Sequence, residues 1–144
     1  MSFMHQIGAQ ISSRASIFPQ QQSGNGTING VSIDRMPTGS QQGFLSAELV
    51  AMTGPTFTGA GPLVDFKLQD SADDSTFADI ATGAPGGPIA AAQISAANQI
   101  LRVDVDLSKL RQFVRIVAVV SGTTTLVDLA GVLVLGGVLN PPVD

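Results

Sequence analysis

The amino-acid sequence predicts an all-β protein, a jelly-roll-like β-sandwich of about eight strands with an N-terminal arm. Three observations predict it. The 144 residues include 16 Gly and 8 Pro, which interrupt the chain at short intervals and disfavour long helices. Helix formers other than Ala and Leu are scarce, since Lys occurs twice and Glu once. Beyond residue 30, apolar and polar residues alternate with the period of two that half-buried strands show.

Residues 1–30 differ from the remainder and predict an arm, which leaves the β-sandwich domain at 31–144. The segment has too few contiguous apolar residues to fold alone. Phe3, Ile7 and Ile11 recur every four residues, which allows a short amphipathic helix, whereas a proline and two Asn-Gly pairs allow an extended chain. The segment is either a disordered terminus or an arm that orders against a neighbouring subunit. The arm residues that we expect at such an interface are Phe3, Ile7, Ile11, Ile17 and Phe18.

Short alternating runs separated by turn residues predict the strands of the sandwich. The predicted strands are 31–36, which Pro37 ends, 44–53, 63–69, 77–81, 101–107, 113–120 and 125–135, and 89–94 is either a strand or a helical turn. In the third run, Val64, Phe66 and Leu68 are expected to face the core. The run at 113–120 is apolar on both faces apart from Arg115, as expected for a central strand that is covered on both sides, and the run at 125–135 is again largely apolar. Gly54-Pro55 and Gly61-Pro62 are expected to break the chain.

The composition narrows the choice of partners. Charged residues make up 12% of the chain, about half the usual share, which indicates a surface partly covered by partners unless small polar residues supply the solubility. Basic residues are scattered singly and Trp and Tyr are absent, so we expect no nucleic-acid partner. The absence of Cys fits a reducing compartment. No signal peptide or spanning segment is recognisable, so we expect a soluble protein with no membrane partner.

The ionisable residues form no pattern that is typical of an active site. His5 is the lone histidine and lies in the predicted arm, where a flexible terminus cannot position a catalytic base. Asp104 and Asp106 fall on one face of a predicted strand, about 7 Å apart. Their alternation with Arg102 is equally that of an ordinary solvent-facing strand. We therefore expect no enzymatic activity, no cofactor, no metal and no small-molecule substrate.

The acidic stretch from Asp70 to Ser75 is chemically able to bind Ca²⁺. It lacks the spacing and the terminal Glu of an EF-hand, and Asp and Ser also bond their own backbone in turns. The sequence therefore favours a hairpin turn over a metal site. Farther along, the basic residues Lys109, Arg111 and Arg115 indicate contact with an acidic neighbour, and Arg111 and Arg115 join the arm residues as interface candidates.

Two stretches resemble a known family. Residues 66–80 resemble the hairpin L-Q-x-S-x-D-x-S-x-F-x-D-I of small tailed-phage head proteins. Residues 107–137 resemble their closing segment, in which an F/Y-V-R entry (here 113–115) leads through an apolar strand to the ending A-G-V-x-V-L-G-G (here 130–137). The family is the capsid decoration, or cement, proteins of tailed bacteriophages. The resemblance covers residues 63–81 and 101–137.

This resemblance implies a structural virion protein, made in the host cytoplasm and located on the capsid exterior. Such a protein is usually a homotrimer that binds at threefold or quasi-threefold positions and stabilises neighbouring subunits of the major capsid protein. Multivalent attachment suits a sparsely charged surface, because many weak contacts add up to firm binding. Two alternatives remain open at this point: a head-fibre or tail attachment module of the virion, and a carbohydrate-binding β-sandwich.

Overall fold

The structure is a computed structural model in which residues 7–36, 43–80 and 93–137 are described. Those residues form a 3-10 turn at Ile7–Ala9 and eight strands that belong to one sheet. The strands are β1 Ser12–Ser23, β2 Gly26–Asn29, β3 Ile33–Asp34, β4 Ser46–Ser71, β5 Ala78–Asp79, β6 Gln93–Ile94, β7 Ile100–Asp106 and β8 Phe113–Gly136. The predicted all-β fold is confirmed. Within these ranges no helix has the length and apolar character needed to cross a membrane.

Two long strands, β4 and β8, run antiparallel and organise the sheet. Their pairing extends from Ser46 opposite Gly136 to Ser71 opposite Phe113. The register shifts at residues 53–63 of β4, as it does where bulges bend a sheet. The bend divides the sheet into two halves. The front sheet consists of β1, β7 and the segments 46–58 and 126–136, and the back sheet consists of β2, β3, β5, β6 and the segments 63–71 and 113–121.

The corner between the two sheets comprises residues 59–62 of β4 and 122–124 of β8. Gly122 and Gly61 have φ angles of 79° and 69°, in the left-handed region that favours glycine. A Cβ atom on Gly122 would collide with the carbonyl oxygen of Gly61, so the two strands approach here more closely than side chains allow. The prediction that the Gly-Pro pairs break the chain was wrong. Because bulges tolerate proline, β4 continues through both pairs and only bends.

One hydrophobic core lies between the two sheets. Leu49 and Leu133 enter it from the front sheet, and Phe66 and Ile116 enter it from the back sheet, each at most 1% exposed. Ile116 reaches across to the front sheet, where a Cβ atom on Gly131 would lie 3.1 Å from its Cδ1 atom. Glycine at that position therefore makes room for Ile116. The core residues predicted for the 63–69 run, Val64, Phe66 and Leu68, are all buried.

Most of the predicted strands are present, although several are shorter than expected. The hairpin around the acidic loop is confirmed, because β5 pairs with Gln69 and Asp70 of β4. The amphipathic strand predicted at 101–107 is β7. The predicted strand that begins at Val31 and ends before Pro37 is reduced to the two residues of β3, and of the ambiguous run the two residues of β6 are extended. Residues 81–92, which include the start of that run, lie outside the described residues.

The segment predicted to be an N-terminal arm requires a correction. Residues 12–29 are two strands, β1 and β2, that pair with β8 in the front and back sheets. Ser16 fixes the place where β1 meets the back sheet: its hydroxyl donates to the carbonyl of Val31 at 2.8 Å and accepts the N–H of Ile116 at 2.9 Å. The apolar residues of this segment are too few for a core of their own, but they suffice to join the core that β8 already builds. Residues 1–6, including His5, lie outside the described residues.

Candidate interaction surfaces

The solvent-facing side of the front sheet carries apolar side chains in adjacent rows. Val50 of β4 lies opposite Val132 of β8, and Met52 lies opposite Ile100 of β7. On the other side of β8, Ala15 of β1 also lies opposite Val132. We call this patch the front face; it consists of Ala15, Val50, Met52, Ile100, Val132 and Val134. Ile100 is 62% exposed and the others are half-buried, so the front face is apolar surface in contact with water.

Two open depressions border the front face. One has a volume of about 570 Å³ and is lined in part by Ile11 and Glu48. The other has a volume of about 440 Å³, lies toward the corner, and is lined in part by Pro19, Met52 and Asp128. The front face therefore has an open depression at each end, into which side chains of another molecule can fit.

The solvent-facing side of the back sheet has the opposite character, and we call it the back face: Asp65, Lys67, Gln69, Asp79 and Arg115. The ammonium group of Lys67 lies 2.8 Å from the carboxylate of Asp79, and the amide of Gln69 donates to the same carboxylate at 2.7 Å. These two donors lower the pKa of Asp79. Arg115 donates to Gln69 Oε1 at 2.9 Å and stacks over the Phe77 ring, 4.1 Å from its centroid. Lys67, Gln69, Asp79 and Arg115 are therefore joined by hydrogen bonds, and Asp65 accepts a hydrogen bond from the Gln93 amide at 2.6 Å.

Arg111 was predicted to contact an acidic neighbour. In the structure it contacts Asp70 of its own chain. Its Nε atom donates to Asp70 Oδ1 at 3.0 Å, and its backbone N–H donates to Asp70 Oδ2 at 3.0 Å. Burial raises the pKa of Asp70, but the bonds from Arg111 outweigh burial and leave that pKa below its ordinary value. The pair ties the end of β4 to the turn before β8. Contact of Arg111 or Arg115 with another subunit stays a prediction.

The arm residues have different surroundings. Ile7 and Phe18 are 72% and 60% exposed, so both are available to a partner. Ile11 is half-buried beside the front face. Ile17 is only 1% exposed and belongs to the core, so its proposed interface role is corrected: a side chain enclosed by its own chain cannot contact another. Phe3 lies outside the described residues.

The acidic loop has the turn chemistry that the sequence predicts. The Asp73 carboxylate accepts the backbone N–H of Ser75 at 3.0 Å and of Thr76 at 2.7 Å, and the Ser71 hydroxyl donates to it at 2.8 Å. These bonds, that of the Thr76 N–H above all, lower the pKa of Asp73 far below its usual range. Among the described residues, His, Asp and Glu side chains form no group of three that could hold a metal ion.

Two features escaped the sequence analysis. The Arg35 side chain is buried and donates to the backbone carbonyls of Phe44, Leu110 and Arg111, which holds three segments of chain together. Burial lowers its pKa. No sequence signal distinguishes this arginine from a surface one. The front face did leave a signal, because the runs at 44–53 and 125–135 carry apolar residues on both sides of each strand. That pattern fits an exposed apolar face as well as a doubly covered strand.

Comparisons with known proteins bear on the fold. No protein-family model matches the chain, and no curated protein does. A crystal structure of the VP2 subviral particle of infectious bursal disease virus matches with a TM-score of 0.51 and 15% identity over 92% of this chain and 35% of that chain. A structure of the Gx strain of that virus matches with a TM-score of 0.46 and 16% identity over 92% of this chain and 33% of that chain.

The likeness is one of fold. At 15% identity, the VP2 match supports the jelly-roll-like sandwich and says nothing by itself about activity. The chain spans about a third of the length of the two virus proteins that it matches. The finer resemblance to the decoration proteins of tailed bacteriophages stays a prediction.

Proposed function

We propose that the protein is a structural component of a virion, a capsid decoration or cement protein. In this proposal it binds the outside of the capsid at threefold or quasi-threefold positions, as a homotrimer, and stabilises neighbouring subunits of the major capsid protein. The observation that carries the proposal is the front face. A patch of apolar side chains that remains in contact with water gains free energy when a partner covers it, at roughly 25 cal/mol per Å².

The contrast with the back face supports a protein partner. Polar groups that already bond to one another gain little free energy from contact with a partner. The half-buried side chains of Val50 and Val132 have no polar groups, so covering them removes apolar surface from water. The exposed side chains of Ile7 and Phe18 offer further apolar contacts. Several such contacts per subunit, multiplied by the copies in an oligomer, give firm attachment even when each contact is weak.

The fold and the sequence resemblance support the same proposal. The neighbour of shared fold is the protein of a subviral particle, and the 66–80 and 107–137 segments resemble the decoration family. Three of the carboxylates also have structural roles: Asp70, Asp73 and Asp79 accept hydrogen bonds within the chain. We accordingly assign the protein no reaction and no cofactor.

Capsids that lack the protein provide the test. The purified full-length chain is added to such capsids, and the bound amount is measured by sedimentation and by cryo-electron microscopy. We expect saturable, stoichiometric binding on the capsid exterior and a rise in the temperature at which the capsids release their DNA. Absence of binding, or binding confined to the tail, would contradict the proposal.

A matched pair of variants on β8 tests the front face itself. Val132→Lys introduces a charge into the front face, opposite Val50 and Ala15. Val119→Lys makes the same change on the outside of the back sheet, opposite Asp65 and Thr27. Both positions are half-buried on the same strand. We expect Val132→Lys to abolish capsid binding and Val119→Lys to preserve it, with both variants folded by circular dichroism. Equal binding by the two would exclude the front face as the contact.

A further inference from the structure

Strand β7 is an edge of the front sheet whose outer side has a defined set of free backbone groups. Within the described residues β7 pairs with β4 alone. At its two ends, Leu107 N–H donates to the Leu45 carbonyl and Thr53 N–H donates to the Gln99 carbonyl, both at 2.9 Å. Because bonded and non-bonded pairs alternate in an antiparallel ladder, the odd-numbered residues bond to β4. The N–H and C=O groups that point away from β4 belong to Ile100, Arg102, Asp104 and Asp106.

The side chains along this edge are also incompletely covered. Leu101 and Val103 point toward the core but are only partly buried, in contrast to Val105, which is 3% exposed. At β7, therefore, the edge of the hydrophobic core is partly exposed to solvent. A strand edge with free backbone groups beside uncovered apolar side chains is a template for another strand.

The charges along the outer side of β7 favour pairing with the β7 strand of a second copy. If another β7 pairs antiparallel about Val103, Arg102 of each copy lies directly opposite Asp104 of the other. If the pairing is centred on Arg102 or on Asp104, identical charges face each other. The register about Val103 also joins the free backbone groups of both strands and places Leu101 opposite Val105 of the second copy. Of these three registers, only the one about Val103 places no like charges opposite each other.

We propose that two copies of this chain associate through β7, paired antiparallel about Val103, so that the front sheets form one continuous sheet. The contact is isologous, since each copy contributes the same strand. Arg102 is 70% exposed and lies 3.8 Å from Glu48 of its own chain, so its guanidinium is accessible to a second carboxylate. This twofold contact goes beyond the proposed function and is separate from its threefold assembly: it joins a copy of one oligomer to a copy of another.

Charge exchange provides the test, with the full-length chain and sedimentation velocity over a range of concentrations. We expect the unaltered protein to dimerise reversibly, or to link larger oligomers in pairs. Arg102→Asp and Asp104→Arg each place like charges opposite one another and should weaken this association at least about tenfold. The double variant that carries both substitutions restores opposite charges across the twofold axis and should recover the affinity. Lys109→Asp serves as the control: it changes the net charge as Arg102→Asp does but lies outside β7, so it should leave the association unaltered.

A backbone variant tests the edge independently of charge. Asp104→Pro removes an N–H that points away from β4, so the bonds within the chain are preserved while one bond to the second copy is lost. We expect a weakened association together with cooperative unfolding. Amide hydrogen exchange of the unaltered protein should slow at Ile100, Arg102, Asp104 and Asp106 as the concentration rises.

Three results would overturn the inference: no association of the unaltered protein, association that the single variants leave unaffected, or a double variant that fails to recover it. Capsid binding separates this inference from the proposed function. Val132→Lys should lose capsid binding yet keep the β7 association, because β8 and β7 lie on opposite sides of β4.

Discussion

The two sheets of this protein are built from the same two long strands and enclose the same core, yet the outer sides of these strands differ in chemistry between the two sheets. On the back face Lys67, Gln69 and Asp79 bond to one another. On the front face the corresponding strand halves carry Val50 and Val132. The difference teaches that a single strand can serve two surfaces: one half completes its interactions within the chain, and the other half leaves apolar surface in contact with water.

The comparison predicts first that both sheets contribute equally to the core. Leu49→Ala in the front sheet and Leu68→Ala in the back sheet each remove a fully buried side chain from one shared cluster. We expect each variant to lower the free energy of unfolding by about 2–5 kcal/mol, measured by urea denaturation, with one cooperative transition. Two separate transitions, or a negligible effect of one variant, would show that the sheets are stabilised independently.

The corner that joins the sheets offers a matched pair of glycines. An alanine at Gly122 would combine a positive φ with a collision against the carbonyl oxygen of Gly61, whereas an alanine at Gly61 would meet no atom within 4 Å. We expect Gly61→Ala to cost about 1 kcal/mol from backbone strain alone and Gly122→Ala to cost about 3 kcal/mol. Thermal unfolding of the two variants measures the difference. Equal losses would mean that the corner tolerates a wider separation of its strands.

The ion pair between the buried Asp70 and the exposed Arg111 predicts a dependence of stability on pH. The bonds from Arg111 hold the pKa of Asp70 below 3.8 in the folded protein, so they stabilise it fully above pH 3.8. This stabilisation is lost as the pH falls through the lowered pKa. Asp70→Asn should therefore cost about 1–3 kcal/mol at pH 7 and progressively less in acid. Denaturation curves at pH 7 and pH 2 check this; a loss that is constant across that range would contradict the assignment.

The smallest effect is expected on the back face. Lys67→Gln removes a partly exposed ion pair with Asp79 and should lower stability by about 0.2–1 kcal/mol, with a smaller loss at high salt. It should leave capsid binding unchanged, because the back face is not the proposed contact. Urea denaturation at low and high salt measures the first effect. Loss of capsid binding in this variant would reverse the roles of the two faces.

The local sequence pattern predicted those strands in which the apolar residues that recur with a period of two are also the residues that the fold buries. The alternation of Val64, Phe66 and Leu68 with polar residues identified a strand and the face that it buries. The hairpin after Asp70 followed from turn chemistry that involves residues close together in the chain. In both cases the determining interactions are local, so the sequence displays them directly.

The N-terminal segment and the corner could not be predicted in this way. Ile17 lies in a sparsely apolar stretch, and its burial depends on pairing with β8 at Gly131, more than a hundred residues later. Gly61-Pro62 has the pattern of a chain break, but pairing with residues near Gly122 continues the strand through it. Pairing across such distances in the chain leaves no local pattern in either partner.

The sequence by itself determined the all-β fold, the strand periods and the low charge that points to covered surface, because each follows from residue type and spacing. The tertiary structure alone decided which apolar residues became core and which became the front face. A strand with apolar residues on both sides has two sides of similar hydrophobicity, and only the packing of one sheet against the other determines which side meets water.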